Sequence, residues 1–355
     1  MDTVTHGLTG WLIAKAVPTE KWGREAKAAV VLGSVLPDLD EVVSPFGAEL
    51  SVLYHRGISH SFIGVSVTSL LVALLLFRFG NWKNAKGLYL LVLAGQLSHI
   101  LLDLLNSYGT QILQPFSNAR FSFDLLFVVD LAFTAIVVAG LWFARFRLRP
   151  APARIAFSIL AAYVGIATLL HFRAESAVVD AAARNGVTVA RSWALPRLET
   201  VTISTDSLGL GSRAIAATGP RQPDHASDPP YAVTFPLPAG PFAWNGFVDD
   251  GRSWLRAEVD PVEESLVWKE RLPHGQDVPG VPAVRDMPDV RTWLWFARFP
   301  VVETFRSGRD NVFIFTDLRY AGMGSRPPFR LLVVSRPGKA PTADWRVRAL
   351  APPRS

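Results

Sequence analysis

Four of the seven histidines fall in the first hundred residues: His6, His55, His60 and His99. Aspartates accompany them, Asp38 and Asp40 in "LPDLDE" and Asp103 in "SHILLDLL". All lie close to the ends of apolar stretches. Histidine or aspartate in hydrocarbon is costly, so such residues are usually paired or functional. His99 and Asp103 are four apart, which on a helix puts both on one face, one turn apart. That separation suits two ligands of one metal ion. The competing reading is a buried hydrogen-bonded pair that locks helix packing.

In "LPDLDE" Pro37 breaks the preceding helix. One aspartate can cap the next element. Two acids two apart do not both cap it, so at least one is available for binding. In "YHRGISHS" (Tyr54 to Ser61), Gly57 permits a tight turn and close backbone approach. Ser59 or Ser61 can cap the helix that follows. His55 and His60 cannot both do so. Arg56 is a fixed positive charge suited to phosphate or carboxylate. A loop merely touching lipid headgroups is the alternative. His6, in "THGLTG", carries least on its own. Asp124 in "RFSFD" is expected to cap a helix start. Asp130 is expected inside an apolar segment, where it needs a partner.

The chain has no cysteine, so disulfides, thiolate ligands and a cysteine nucleophile are excluded. Any metal must be held by His, Asp, Glu or backbone oxygen. Of the 355 residues, 50% are hydrophobic and only 19% charged. The apolar excess sits between roughly residues 60 and 171. The start "MDTVTHGLTGWLIAKAVP" is acidic and has no clear cleavage site, so no cleavable signal peptide is expected. Four segments read as membrane helices: 58–79, 87–106, 125–145 and 154–171, the last being the shortest. Two pieces, 7–17 and 26–36, are too short to span and are expected to be re-entrant or buried against the other helices.

The net charge is +6. The basic residues cluster in short loops: Lys21, Arg24 and Lys27 in the first polar turn, "RFGNWKNAK" at 78–86, and "RFRLRPAPAR" at 145–154. That is a topology signal, not the basic stripe with interleaved aromatics of a nucleic-acid binder. In an alternating topology these turns share the cytoplasmic side of the membrane. Loops 37–57 and 107–123 then lie outside, as does the chain after 171. On this topology His6, Asp38, Asp40, His55, His60 and the outer half of 87–106 all reach one membrane edge. Accidental polar residues would scatter over both faces. Convergence of His and Asp at one edge is the pattern of a metal site.

The remainder is a different material. Residues 173–355 hold most of the prolines and alternating runs such as "YAVTFPLP", "NVFIFTDLRY" and "FRLLVVS". These predict a mainly β extramembrane domain, with a helix near 174–185 and tryptophans buried in its core. His225 and His274 are expected in loops with no catalytic part. The fold expected is a mainly α membrane domain over 1–172, with about four transmembrane helices and two short N-terminal ones, followed by a mainly β domain.

The motifs "THGLTG", "GSVLPDLDEV", "HRGISHS", "SHILLDLLNSYGTQILQPFS" and "RFSFDLLFVVD", in that order, resemble the YdjM-like family of membrane-bound, metal-dependent hydrolases described as LexA-binding and inner-membrane-associated. The resemblance covers residues 1 to about 145. The ligand pattern is also similar to zinc-dependent phospholipase C. That enzyme is soluble and uses its N-terminal amine as a ligand, whereas here the first histidine lies five residues in. The resemblance implies His6, Asp38, His60, His99 and Asp103 as ligands of a divalent metal, Zn²⁺ by analogy. It implies Asp40 and His55 as supports, ligands of a second metal or general base. Arg56 would neutralise an anionic substrate, and Asn106, Tyr108 and Gln111 would donate hydrogen bonds to it. The function implied is hydrolysis of a phosphate or ester bond of a phospholipid-like or other anionic molecule at the membrane surface. The alternative is a non-enzymatic membrane protein, either a metal or proton transporter or a regulatory scaffold.

Overall fold

A computed structural model describes residues 1–17, 22–145, 150–204, 232–238, 240–320 and 329–345, with backbone alone at 198–204 and 232–238. The first helix, α1 (Thr3–Ala16), starts at Asp2, whose carboxylate accepts from Thr5 N at 3.0 Å. It packs against α2 (Arg24–Val35). Pro37 then tightens the chain into a 3-10 coil over Leu36–Phe46, followed by α3 (Ala48–Tyr54). Four longer helices follow: α4 (Phe62–Phe79), α5 (Ala85–Leu104), α6 (Leu131–Arg145) and α7 (Ala151–Arg184). Among the described residues, α4, α5 and α7 are long and apolar enough to cross a membrane, and α6 is a shorter apolar helix. Leu70, Leu74, Leu90 and Ile159 are exposed on them. Helices apolar on their outer faces belong in lipid.

The tightest helix contact is α2 on α5. A Cβ at Gly33 would come within 2.2 Å of Val92 O, and one at Gly95 within 2.3 Å of Val30 O. Backbones this close need glycine, the usual device where helices pack in lipid. The two helices run parallel: Asn81 N, just before α5, donates to Glu25 at 2.7 Å, and His99 Nδ1 meets Ser34 O at 2.8 Å. Arg154 Nε donates to Ala16 O at 3.1 Å. Ala16, Glu25, Asn81 and Arg154 therefore lie at one end of the bundle. Asp38, His55, His60 and Asp103 lie at the other.

The structure corrects several expectations. The segment expected to be shortest is the longest helix: α7 has 34 residues and continues through position 172, so the helix expected near 174–185 is its second half. The segment 125–145 becomes helical only at Leu131. Asp130 stands at that start, accepting from Phe133 N at 2.9 Å and from Tyr163 Oη at 2.9 and 3.0 Å. Asp124 caps no helix. It adopts left-handed backbone (φ 58°) and pairs with Arg298.

Beyond α7 the described residues form two four-stranded antiparallel sheets and a two-stranded ribbon. One sheet has the order β1 (Arg191–Pro196), β4 (Trp244–Asp249), β5 (Ser253–Asp260), β6 (Ser265–Pro273). β2 (Leu198–Ser204) pairs with β3 (Ala232–Pro238) as the ribbon. The other sheet is β7 (Pro300–Ser307), β8 (Asp310–Asp317), β9 (Leu331–Ser335), β10 (Thr342–Asp344). Leu170, Ala174, Val178 and Ala182 of α7 pack on Trp244, Val248 and Ala257 of the first sheet. Phe299 stacks on Phe247 at 4.3 Å and meets Trp254 edge-on, tying the first sheet to the second. The helix α8 (Pro288–Phe296) buries Trp293 against Phe315. Trp244 and Trp293 are both core residues, as the pattern predicts. His225 lies outside the described residues. His274 is buried beside Asp249 and Trp254.

Because α5 carries His99 one turn and Asp103 two turns beyond Gly95, helix spacing sets the site. Gly95→Leu is expected to push α2 from α5, destabilise the domain by about 1–3 kcal/mol and reduce bound metal. Metal analysis and thermal unfolding of the detergent-solubilised variant check both effects.

Candidate metal centre

Four side chains converge at one end of the bundle. Asp38 comes from the 3-10 coil after α2, His60 from the turn before α4, and His99 and Asp103 from the last turns of α5. One ligand atom from each lies within 4.8 Å of the others. His60 Nε2 and His99 Nε2 face each other at 3.0 Å. Asp103 Oδ2 is 3.2 Å from the first and 3.3 Å from the second. Asp38 Oδ1 is 3.3 Å from His99 Nε2 and 3.8 Å from His60 Nε2. A tetrahedral Zn²⁺ with bonds of ~2.0–2.1 Å separates its donors by about 3.3 Å, so the spacing fits such an ion.

The outer partners aim these atoms inward. Ser34 O accepts from His99 Nδ1 at 2.8 Å. His60 Nδ1 lies 3.2 Å from Asp40 Oδ2 and 2.9 Å from Ser59 Oγ. Both contacts make Nδ1 a donor, so the two Nε2 atoms present lone pairs face to face once His60 has lost its second proton. Opposed lone pairs repel unless a cation sits between them. Thr3 Oγ1 donates to Asp38 Oδ2 at 2.7 Å, turning Oδ1 toward the imidazoles. Asp103 Oδ2 is buried and lacks a hydrogen-bond partner of its own. An orphaned carboxylate oxygen beside two imidazole nitrogens is what a metal satisfies.

The electrostatics agree. Burial opposes the charged form of His60, yet hydrogen bonds with Asp103, Asp38 and Asp40 outweigh it and raise its pKa to about 10. Burial likewise opposes the Asp38 carboxylate, and its contacts with His60 and His99 still hold it well below the usual carboxylate range. The cluster is a strong sink for positive charge.

The other expected residues surround this quartet. His6 is buried, stacked on His99 at 3.6 Å, with Nε2 at 3.2 Å from Asp103 Oδ1. It braces Asp103 and is outside the four-donor group. The Met1 amine also pairs with Asp103 Oδ1. Asp40 stands behind His60: it accepts from His55 Nδ1 at 2.8 Å, Arg56 N at 3.0 Å and Ser59 Oγ at 2.5 Å. Arg56 takes left-handed backbone (φ 59°) and reaches Asp103 Oδ1 at 2.8 Å and Asn106 Oδ1 at 2.9 Å. Its charge is thus spent largely on a carboxylate of the centre. Tyr108 lies under Arg56, and Gln111 N donates to Arg56 O at 3.0 Å. Asn106 Nδ2, Tyr108 Oη and Gln111 Nε2 are buried without partners.

Sequence reasoning misses Thr3, Ser34 and Arg319. Thr3 sits in a run that reads as a simple helix start, and Ser34 acts through its carbonyl, which any residue supplies. Arg319 of the β domain donates to Ser107 O at 3.0 Å and Tyr108 O at 3.1 Å, fixing the loop after α5. It is held in turn by Asp317 at 2.7 Å.

Fold and site together define a class: a multi-helix membrane domain with a buried His/Asp cluster able to hold a metal ion, topped by a β domain. The helical half matches the family described as YdjM inner membrane protein over residues 1–174, and the chain belongs to that family. It is also similar to the uncharacterized protein YfhP of Bacillus subtilis (strain 168), at 26% identity over 153 residues, 41% of this chain and 47% of that protein. The matched region thus spans about half the length of that relative. No solved structure matches the chain.

Below its raised pKa, His60 holds a proton that a metal must displace. Metal affinity is therefore expected to rise with pH through the neutral range, roughly tenfold per unit for each proton displaced. Competition against a chelator-buffered Zn²⁺ series at two pH values checks this. An affinity independent of pH removes His60 from the ligand set.

Proposed function

We propose that the protein is an integral-membrane, metal-dependent hydrolase acting on a phosphate or ester bond of a lipid-like substrate at the membrane surface. The observation that supports it best is the pair of opposed Nε2 atoms closed by Asp38 and Asp103. Zn²⁺ or a similar ion held there would supply a Lewis acid that makes water nucleophilic near neutral pH.

The remaining chemistry falls to the chain's own residues. Asp40 holds His55 by its Nδ1–H, which leaves His55 Nε2 to accept a proton. The pair is partly open to solvent, unlike the quartet. In this reading His55 is the base and Asp40 orients both His55 and His60. Arg56 fixes Asp103, and its unpartnered Nε, with Asn106 Nδ2 and Gln111 Nε2, is available to bind substrate oxygen. Positive-inside placement of the basic turns puts the centre and the β domain on the extracytoplasmic side of the inner membrane.

Protein purified in detergent is expected to carry a divalent metal and to hydrolyse lipid phosphate or ester substrates. The His60→Ala, His99→Ala double variant is expected to lose both metal and activity. Full metal content in that variant overturns the ligand assignment. His55→Ala is expected to keep its metal and lose about 10²–10⁴ in kcat. Metal-dependent uptake into vesicles without hydrolysis would decide for a transporter.

A further inference from the structure

We propose that the cavity between the loop after α5 and the β domain is a binding site for a phosphate-type oxyanion, the headgroup of an amphiphile at the membrane edge. The cavity measures about 460 Å³, within the range of small-molecule sites. Tyr108 and Arg120 line it from the loop; Trp295, Phe296, Arg298 and Arg319 line it from the β domain.

The charges in its wall do not balance. Arg298 is matched by Asp124 through two bonds of 2.7 and 2.9 Å, and Arg319 by Asp317. Among the described residues Arg120 has no carboxylate. Its Nη1 and Nη2 donate to Gly109 O at 3.1 Å and Val52 O at 2.5 Å, and its buried Nε has no partner. Three guanidinium groups thus meet two carboxylates. The rings of Trp295, Phe296 and Tyr108 surround the Arg120 guanidinium at 4.7, 5.3 and 5.4 Å. Aromatic faces and carbonyls soften the loss of water but supply no countercharge. Burial lowers the Arg120 pKa only to about 10, so the group is a cation at neutral pH. An anion from outside completes the site.

The rim indicates where that anion is carried. Phe121 and Phe123 border the cavity and are exposed, and Phe116 on the same loop is 85% exposed. This apolar edge stands at the end of the bundle that α5 leaves, where lipid headgroups begin. Aromatic side chains favour that layer. Tyr108 also carries Arg56 over its ring at 4.9 Å and His55 at its edge at 5.5 Å, so one residue walls both the cavity and the metal centre. Reading the bound anion as part of the hydrolysed molecule rests on the function proposed above; the binding itself does not.

The test uses the full chain in phosphatidylcholine nanodiscs, titrated calorimetrically with dihexanoyl phosphatidic acid, dihexanoyl phosphatidylcholine and inorganic phosphate. Saturable binding of the anionic lipid is expected, at least tenfold weaker in Arg120→Gln and intermediate in Arg120→Lys. Ala119→Asp places a carboxylate in the exposed wall, is expected to abolish binding, and decides the matter if Arg120→Gln does not fold. Phosphate binding as tightly as phosphatidic acid supports the site and assigns it to a soluble anion. His99→Ala is expected to retain anion binding, which separates this site from the metal centre. The proposal is overturned if both wall variants bind like the parent protein, if the zwitterionic lipid binds equally well, or if His99→Ala alone abolishes binding.

Discussion

The buried carboxylate of Asp103 is the constraint around which the helical half is arranged. It sits in the last turn of a membrane helix with no exposure to solvent. An unpaired carboxylate there would be prohibitively costly. One oxygen is answered by Arg56, His6 and the Met1 amine. The other faces His60 and His99. These partners come from three stretches of chain, so meeting this single charge pulls α1, the turn before α4 and α5 into one corner. The glycine contact of α2 with α5 adds the fourth side, since it carries Ser34 to His99 and the following coil brings Asp38.

A second layer of order comes from the β domain. The loop after α5 has little regular structure: Thr110 and Phe121 exchange two backbone hydrogen bonds, and Phe123 N bonds Leu104 O. The carbonyls of Ser107 and Tyr108 are held by Arg319, and the far end of the loop by Arg298 on Asp124 and Ser122. These bonds span between 174 and 212 residues of sequence. The domain that carries no metal donor therefore shapes the loop beside those that do.

Much of the helical half was legible because hydrocarbon imposes length and polarity together. A four-residue spacing in an apolar run placed His99 and Asp103 on one face, and the basic turns placed the polar motifs at one end. What hydropathy could not see was a helix leaving the membrane: "RAESAVVDAAAR" is alanine-rich and helical, but too polar to count as a span. Asp130 was misplaced for a related reason, because the apolar residues before it are irregular chain and not helical. Asp40 looked equivalent to Asp38, two residues away. Only the fold shows one facing the imidazole nitrogens at the centre and the other facing their back. Arg298 and Arg319 left no local trace, since their partners are distant in sequence.

The continuity of α7 has a mechanical consequence. At 34 residues it is about 51 Å long, against a bilayer core of about 30 Å. The remainder is a stiff mast, clasped by the first sheet through Val178 and Gly246. A flexible tether would let a domain wander; a mast fixes its altitude and heading. Tilting α7 to suit a thinner or thicker bilayer would then swing the β domain with it, so that membrane thickness becomes an input to the geometry of the loop it grips.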